Sequence, residues 1–525
     1  MSYAPSAVPE LDPATMLTNV FYALRRSDPS LENISYSYST QNSLLPGWLI
    51  QSAPQNPTCP LLNKIKAQLD ATVAGSPDKP HFIDLTQMGN QDPDDSFQAS
   101  VLDSLIAIAK TARQKVVVRY LEGGSVLRQD SRMTVIEHLK NACTGLALSN
   151  VYFYAAYFAI PWQAPGVPPG LQGAWTHAKI FAVDGVASIA GGQNYWNDYM
   201  PGHLDNPPHD VSMQIDGAAT AAAHYFANFL WRYVSANSSS MTHKTLRLGA
   251  PDYDDSLPPQ FDANQFPTPT QQQGVPVLAV GNLGAWLPVE LDALKAEALD
   301  GVRNPQRQVH PKDTYPVVED AYNVLLDFPL SAKFDTMVSM PRQASIAACN
   351  LLFQAVQVNG HLRISQQKIA DTDLVQESFQ GIHGVPWPGP FIRNIVSAII
   401  YWNVTVDIIV SNHVAGDSPV DGYSDDMGAA ALQGVILDFL TLELGNHRAK
   451  AEAVANQYLH VRSTVASNHA KVWTVDDKVF FVGSDNIYPA YLQEFGFVVG
   501  STQRTQEFID KYWTPLWNNA VPPSQ

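Results

Sequence analysis

The sequence predicts an α/β protein of two homologous lobes, each a mixed, largely parallel β-sheet flanked by helices. The lobes are expected to be related by pseudo-twofold symmetry, with the active site at their interface. Three features predict this: a strand–helix–strand layout that occurs twice, a Pro/Gln/Asp-rich stretch near the middle, and one motif repeated near the end of each half.

The layout is legible from periodicity. In the first half, His81–Leu85 is a short apolar run; Phe97, Val101, Leu105, Ile108 and Ala109 then recur at helical spacing, and Lys115–Leu121 is β-branched. In the second half, His361–Ser365 is followed by Phe391, Ile395, Val396, Ile399 and Ile400 at helical spacing, and then by Val404–Val410. Near-continuous apolar strands separated by helices read as βαβ units whose sheet is covered on both faces. The stretch between Ala250 and Pro276 is poor in apolar residues and reads as an exposed connector. The division is therefore 1–249 for the first lobe, 250–275 for the linker and 276–525 for the second lobe.

Composition narrows the function. The chain has 525 residues, 45% of them apolar, and a formal charge of −17, so a sizeable core can form while a general nucleic-acid grip lacks its basic face. No nucleic-acid partner is expected. Three cysteines, Cys59, Cys143 and Cys349, cannot build a disulfide framework, and the sequence leaves open whether any two are bridged. Residues 1–15 show no signal-peptide pattern, and no apolar run reaches membrane-spanning length. A soluble protein without stable membrane insertion is expected, either secreted (as a mature form or by non-Sec export) or cytoplasmic.

The chemistry lies in the repeat. His177–Asn194 and His469–Asn486 both spell H-x-K-x4-D-x6-G-x2-N, and every motif residue of the second copy lies 292 positions after its counterpart. Five fixed positions at about one in twenty each make a single chance copy rare, on the order of one in several thousand such chains. Each copy reads as strand, tight turn and strand, turning at Asp184-Gly185 and Asp476-Asp477. On a strand, residues two apart share a face, which groups His177 with Lys179 and His469 with Lys471. After the return strand, Gly191-Gly192 or Gly483-Ser484 allows close backbone approach, and Asn194 or Asn486 supplies an amide donor. One imidazole, one ammonium and one amide from each half suit an anion with several oxygens, and phosphate fits. A phosphodiester needs a nucleophile on one side of phosphorus and an acid on the other, so one histidine from each lobe makes a complete set.

These stretches resemble the HKD motifs of the phospholipase D superfamily, and the pattern is closest to the secreted actinobacterial phospholipases D. Val275–Gly284, Leu362–Gln367, His209–Gly217 and Asn486–Val499 extend the resemblance, as does Gly-Gly in the first copy against Gly-Ser in the second. The resemblance implies that His177 attacks phosphorus to form a phosphohistidine, while His469 protonates the leaving alcohol and then activates the incoming water or alcohol. It implies that Lys179, Lys471, Asn194 and Asn486 hold the non-bridging oxygens, and that Asp184 and Asp476 make structural salt bridges away from the phosphorus. It also implies a carboxylate on the second nitrogen of each histidine, which matching segments put at Asp210 and Glu494, with Glu494 toward His469 and in place of the usual Asp.

No cofactor and no metal are expected; the acidic runs Asp92–Asp95 and Asp252–Asp255 lack EF-hand spacing and read as solvated loops. The resemblance implies hydrolysis of phosphatidylcholine-type glycerophospholipids to phosphatidic acid, with transphosphatidylation, at a membrane or micelle surface. The alternative is a nuclease or other non-lipid phosphodiesterase on the same scaffold. Trp162 and Trp387, in proline-rich loops, are candidate lipid-interface residues. Because the duplication lets one chain build the whole site, a monomer is expected.

Overall fold

In the computed structural model the described residues are 10–52, 58–89, 95–123, 132–146, 150–161, 172–204, 207–236, 243–247, 253–267, 274–283, 343–369, 389–412, 423, 428–487 and 492–523. They form an 8-stranded and an 11-stranded sheet. Numbered along the chain, the strands up to the first motif are β1 (Tyr36–Ser39), β2 (Asn42–Ser43), β3 (Leu49–Gln51), β4 (His81–Met88), β5 (Val116–Gly123), β6 (Val151–Pro161) and β7 (Gln172–Trp175). The first motif spans β8 (Ile180–Val183) and β9 (Ala187–Gly191), followed by β10 (Val211–Gly217), β11 (His243–Arg247) and β12 (Tyr253–Asp254). The second half adds β13 (Val277–Leu283), β14 (His361–Gln366), β15 (Thr405–Val410), β16 (Leu459–Ser463), β17 (Lys471–Val475), β18 (Val479–Gly483) and β19 (Gln493–Gly500).

The duplication is visible in strand order. The larger sheet contains β6-β5-β4-β8-β9-β10 and the smaller β16-β15-β14-β17-β18-β19. In both, the first three strands are mutually parallel and the motif hairpin joins them antiparallel. The runs singled out by periodicity lie where expected. His81–Leu85 falls in β4 and Lys115–Leu121 almost wholly in β5, while helices Ser96–Thr111 and Gly389–Trp402 carry the two apolar faces.

Alternation along the strands splits the core in two. Ile83, Leu85, Val116, Val118 and Tyr120 face a cluster with helices Pro60–Leu69 and Ser96–Thr111. Phe82, Val117 and Leu121 face the other way, into a cluster shared with the second sheet and with helix Thr220–Ala236. The sheets meet through β9 and β10 against β18 and β19. Trp48 against Phe480 (5.4 Å) and Phe226 against Phe495 (5.3 Å) are aromatic contacts across that seam.

Two boundaries differ from expectation. Helix Pro13–Ser27 packs on helix Ala344–Gln354, and β1 pairs antiparallel with β13, so the start of the chain completes the second sheet rather than the first lobe. The linker is not a bare connector either. β12 pairs with β11, and Phe261 is buried, stacked on His224 at 4.0 Å and bonded through its backbone to Asn228. Phe261, with Phe266 stacked on it at 5.6 Å, ties the polar segment to the core, a signal that window composition averages away. No described helix is long and apolar enough to cross a membrane. Cys59, Cys143 and Cys349 are all buried and unbridged.

Candidate active site

Each motif folds into a hairpin closed by a two-residue turn. Val186 N–H bonds the Val183 carbonyl at 2.9 Å and Lys478 N–H the Val475 carbonyl at 3.0 Å. The central residues Asp184, Gly185, Asp476 and Asp477 all have positive φ, 53–62°. This is the type I′ turn, whose twist matches the strands and whose backbone admits Asp and Gly. The motif aspartates are therefore at the turn end. Asp184 pairs with His81 (2.6 Å) and accepts the Phe82 N–H, as a structural salt bridge. Asp476 instead accepts the backbone N–H groups of Gln357 (2.8 Å) and His361 (3.2 Å); its role is structural, but its partners are amides rather than a cation.

The other end of each hairpin builds the site. The rings of His177 and His469 have centroids 6.4 Å apart at 80°, both buried. Backbone bonds across the seam fix this spacing. The Gln493 carbonyl accepts the N–H groups of both His177 and Ala178 (2.9 Å each), and the His209 carbonyl accepts that of His469 (2.7 Å).

Carboxylates also cross the seam. His177 Nδ1 lies 2.9 and 3.0 Å from the two oxygens of Glu494, and His469 Nδ1 lies 2.8 Å from Asp210 Oδ2. The expected partnership of Glu494 with His469 is thus replaced: each histidine is served by the opposite half. Asp210 and Glu494 hold equivalent places, since Ser212 is opposite Gly191 and Gly496 opposite Gly483, and each acid is two residues before. Their surroundings compensate for the difference in length. A Cβ on Gly192 would lie 2.2 Å from Asp210 Oδ1, so only glycine fits there. At the corresponding place Ser484 donates its hydroxyl to Glu494. An imidazole that gives its Nδ1 hydrogen to a carboxylate keeps Nε2 as the basic, reactive nitrogen.

Both lysines are buried, and each donates to its own motif's backbone, Lys179 to the His177 carbonyl at 2.6 Å and Lys471 to that of His469. One such bond leaves an ammonium further donors for an anion. Asn194 and Asn486 are both buried, and among the described residues Asn194 Oδ1 has no hydrogen-bond partner.

Burial and crowding set the protonation states. Burial lifts Asp210 to about 7, against the pull of Lys471, Tyr199 and Lys179. Burial likewise lifts Glu494 to about 8, against Lys179, Ser484 and Lys471. Lys471 is brought down to about 7, again chiefly by burial. His469 is pushed well below its ordinary value by burial and by Lys471, Lys179 and His177. Perturbations of this kind concentrate where chemistry is done.

Two tyrosines escaped the sequence reading. Tyr199 donates to Asp210 Oδ2 at 2.7 Å and lies 3.2 Å from His469 Nδ1. Tyr423 sets its ring edge-on to His469 at 4.9 Å and donates to Asp198 at 2.5 Å. Neither belongs to a repeated motif, and Tyr423 is 46 positions from the histidine it touches. Trp162 and Trp387 lie outside the described residues. Among the described residues no group of three His, Cys, Asp or Glu side chains is placed to hold a metal ion.

Comparison with known proteins agrees with the motif. A phospholipase D from Streptomyces antibioticus is 25% identical over 96% of this chain and 87% of its own length. Among solved structures, phosphatidylserine synthase from Haemophilus influenzae aligns over 95% of this chain and 92% of its own, with 13% identity and a TM-score of 0.49. The phospholipase D family member Nuc from Salmonella typhimurium covers 35% of this chain and 91% of its own, with 15% identity and a TM-score of 0.22. No family model matches the chain. Two intact motifs thus meet in one site, and the chain is similar along nearly its whole length to a phospholipase D, which supports an enzyme of the phosphodiesterase class.

Proposed function

We propose that the protein is a phospholipase D that cleaves the distal phosphodiester of phosphatidylcholine-type glycerophospholipids and transfers the phosphatidyl group to water or an alcohol. The observation that carries this reading is the pair of imidazoles 6.4 Å apart, contributed by opposite halves, each with a carboxylate on Nδ1. That spacing leaves room for one tetrahedral phosphate between the rings.

In the proposed reaction, Nε2 of His177 attacks phosphorus, forming a phosphorus–nitrogen bond as the bond to the head-group oxygen breaks. His469 delivers a proton to that oxygen, and the alcohol leaves. His469 then takes a proton from water or an acceptor alcohol, whose oxygen attacks phosphorus and releases His177. Lys179, Lys471, Asn194 and Asn486 stabilise the charge that accumulates on the non-bridging oxygens. Burial, together with the neighbouring Lys471, Lys179 and His177, discourages a proton on His469. An incoming phosphodiester anion offsets them, so substrate binding and proton uptake by His469 are coupled.

The lipid assignment draws on the similarity to the Streptomyces enzyme and on the acidic balance of the chain, which does not favour a polyanionic duplex. A single copy supplies both halves of the site, consistent with a monomer acting at a membrane or micelle surface. Incubation with phosphatidylcholine and ethanol tests substrate class and intermediate together. Phosphatidylethanol is the expected product; cleavage of bis(p-nitrophenyl) phosphate or DNA with phosphatidylcholine untouched would overturn the lipid reading.

A further inference from the structure

The turn that follows the first motif is docked, residue by residue, onto the start of another element. Tyr195 stacks on Phe97 at 5.8 Å and 5°, and Trp196 Nε1 donates to the Met88 carbonyl at 3.1 Å. Asn197 makes the densest contact. Its Oδ1 accepts from Ser96 N (2.8 Å), Ser96 Oγ (2.7 Å) and Phe97 N (3.1 Å), at the N-terminus of helix Ser96–Thr111. Its own N–H donates to Asp95 Oδ2 at 2.8 Å, while Asp95 Oδ1 caps the same helix at Gln98 N. A helix N-terminus has backbone N–H groups without intrahelical partners, and Asn197 and Asp95 satisfy three of them.

Two residues on, the same turn presents Tyr199. Its hydroxyl and His469 Nδ1 both donate to Asp210 Oδ2, and Asp210 Oδ1 accepts the Val211 N–H at 2.7 Å. Asp198, between them, accepts from Tyr423, which in turn borders His469. The segment is a short strut from a sixteen-residue helix to the Asp210–His469 pair.

We propose that Asn197 is a positioning residue for His469: by fastening the turn to the helix, it holds the Tyr199 hydroxyl on Asp210 and so fixes the imidazole. The proposal rests on the reading of His469 as the acid/base of the site. Asp210 is faced by Tyr199 and His469 and feels the charges of Lys471 on β17 and of Lys179, just before β8; the His177 ring, Tyr423 and the Asp198 carboxylate lie close by. Tyr199 favours the ionised carboxylate, so slackening its contact moves Asp210 further up and demands a higher pH for the ionised form.

The test is kinetic, with phosphatidylcholine as substrate. Asn197→Ala is expected to lower kcat on the order of 10–100-fold, the scale of a small displacement of a reacting group, with KM within about threefold. The acid limb of its kcat/KM profile shifts to higher pH. Tyr199→Phe shows the same shift, and the double variant is no worse than the more impaired single one, because both act through one contact. Asn197→Asp, which keeps the acceptor oxygen, restores most of kcat. An unmoved acid limb, or losses that add fully in the double variant, overturns the proposal, and Tyr199→Phe keeps it testable if Asn197→Ala does not fold. The His469 imidazole titration followed by ¹⁵N NMR reads the positioning without turnover. An inactive wild type would thus sink the functional reading alone, whereas identical His469 titrations in wild type and Asn197→Ala would sink this one.

Discussion

Glu494, from the second half of the chain, embraces Nδ1 of His177, from the first, with both carboxylate oxygens at 2.9 and 3.0 Å. Asp210 returns the arrangement to His469. Neither half completes a histidine–carboxylate pair on its own, because the acid beside each imidazole comes from the other half.

His177→Ala and His469→Ala are each expected to lose turnover by at least about three orders of magnitude, the usual scale for removing a nucleophile or its acid/base partner. Rapid quench with radiolabelled substrate separates them. Label should remain on the protein in wild type and be absent in His177→Ala; label retained there would assign the nucleophile to His469.

Glu494→Asp draws the carboxylate back by one methylene from a position already fixed by Ser484. The expectation is a fall in kcat of about 10–100-fold, in line with losing the partner that orients a reactive histidine, with KM little changed. The reciprocal change at the other acid fails differently. Gly192→Ser forces side-chain atoms into space already held by Asp210 Oδ1, so thermal unfolding should show a loss of about 1–3 kcal/mol. Ser484→Gly, which removes one hydroxyl and adds no atoms, should leave stability closer to wild type.

The buried acids also mark the stability profile. Asp210 titrates near 3.8 when exposed and at about 7 in the folded protein, so between those values the native state holds the proton more tightly. Stability contributed by this group therefore falls as pH rises through that window. Asp210→Asn removes the dependence, and its melting temperature relative to wild type should climb from pH 4 to about 7 and then level off. For Glu494→Gln the climb should continue to about 8. A difference that is flat with pH would show that these carboxyls are not held protonated.

The proposed steps draw on two imidazoles, two ammonium groups and two amides and on no bound cation. Turnover of detergent-dispersed phosphatidylcholine is expected to persist in excess EDTA. Activity lost to the chelator and restored by calcium alone would place an ion in the reaction.

Phe261→Ala probes the connector. This ring is buried among His224, Phe82 and Phe266, and its truncation should cost about 3–5 kcal/mol. An unchanged melting temperature would restore the simpler picture of a solvated tether.

What the sequence disclosed and what it withheld divide along chain distance. The motif hairpins were legible because period-two alternation and an Asp-containing turn are local properties, and the helices through Phe97 and Phe391 because their apolar residues recur within a few turns. The exchange of Asp210 and Glu494 across the seam was not, since it depends on how two sheets dock, and the motif repeat suggests that each half keeps its own acid. Tyr199 and Tyr423 were hidden for the same reason: nothing in their neighbourhoods marks them until the fold carries them to His469. The site candidates that could be named in advance were the duplicated ones.

β1 and β13, hydrogen-bonded as neighbours in the second sheet, are separated by 237 residues between Ser39 and Val277. At typical elongation rates of about 5–20 residues per second, β1 leaves the ribosome many seconds before the edge that will receive it exists. Until then Tyr36, ultimately one of the most deeply enclosed side chains, has to be kept from competing partners. Closing the second sheet at this edge waits on a contact of high sequence separation, set by where one four-residue strand is placed.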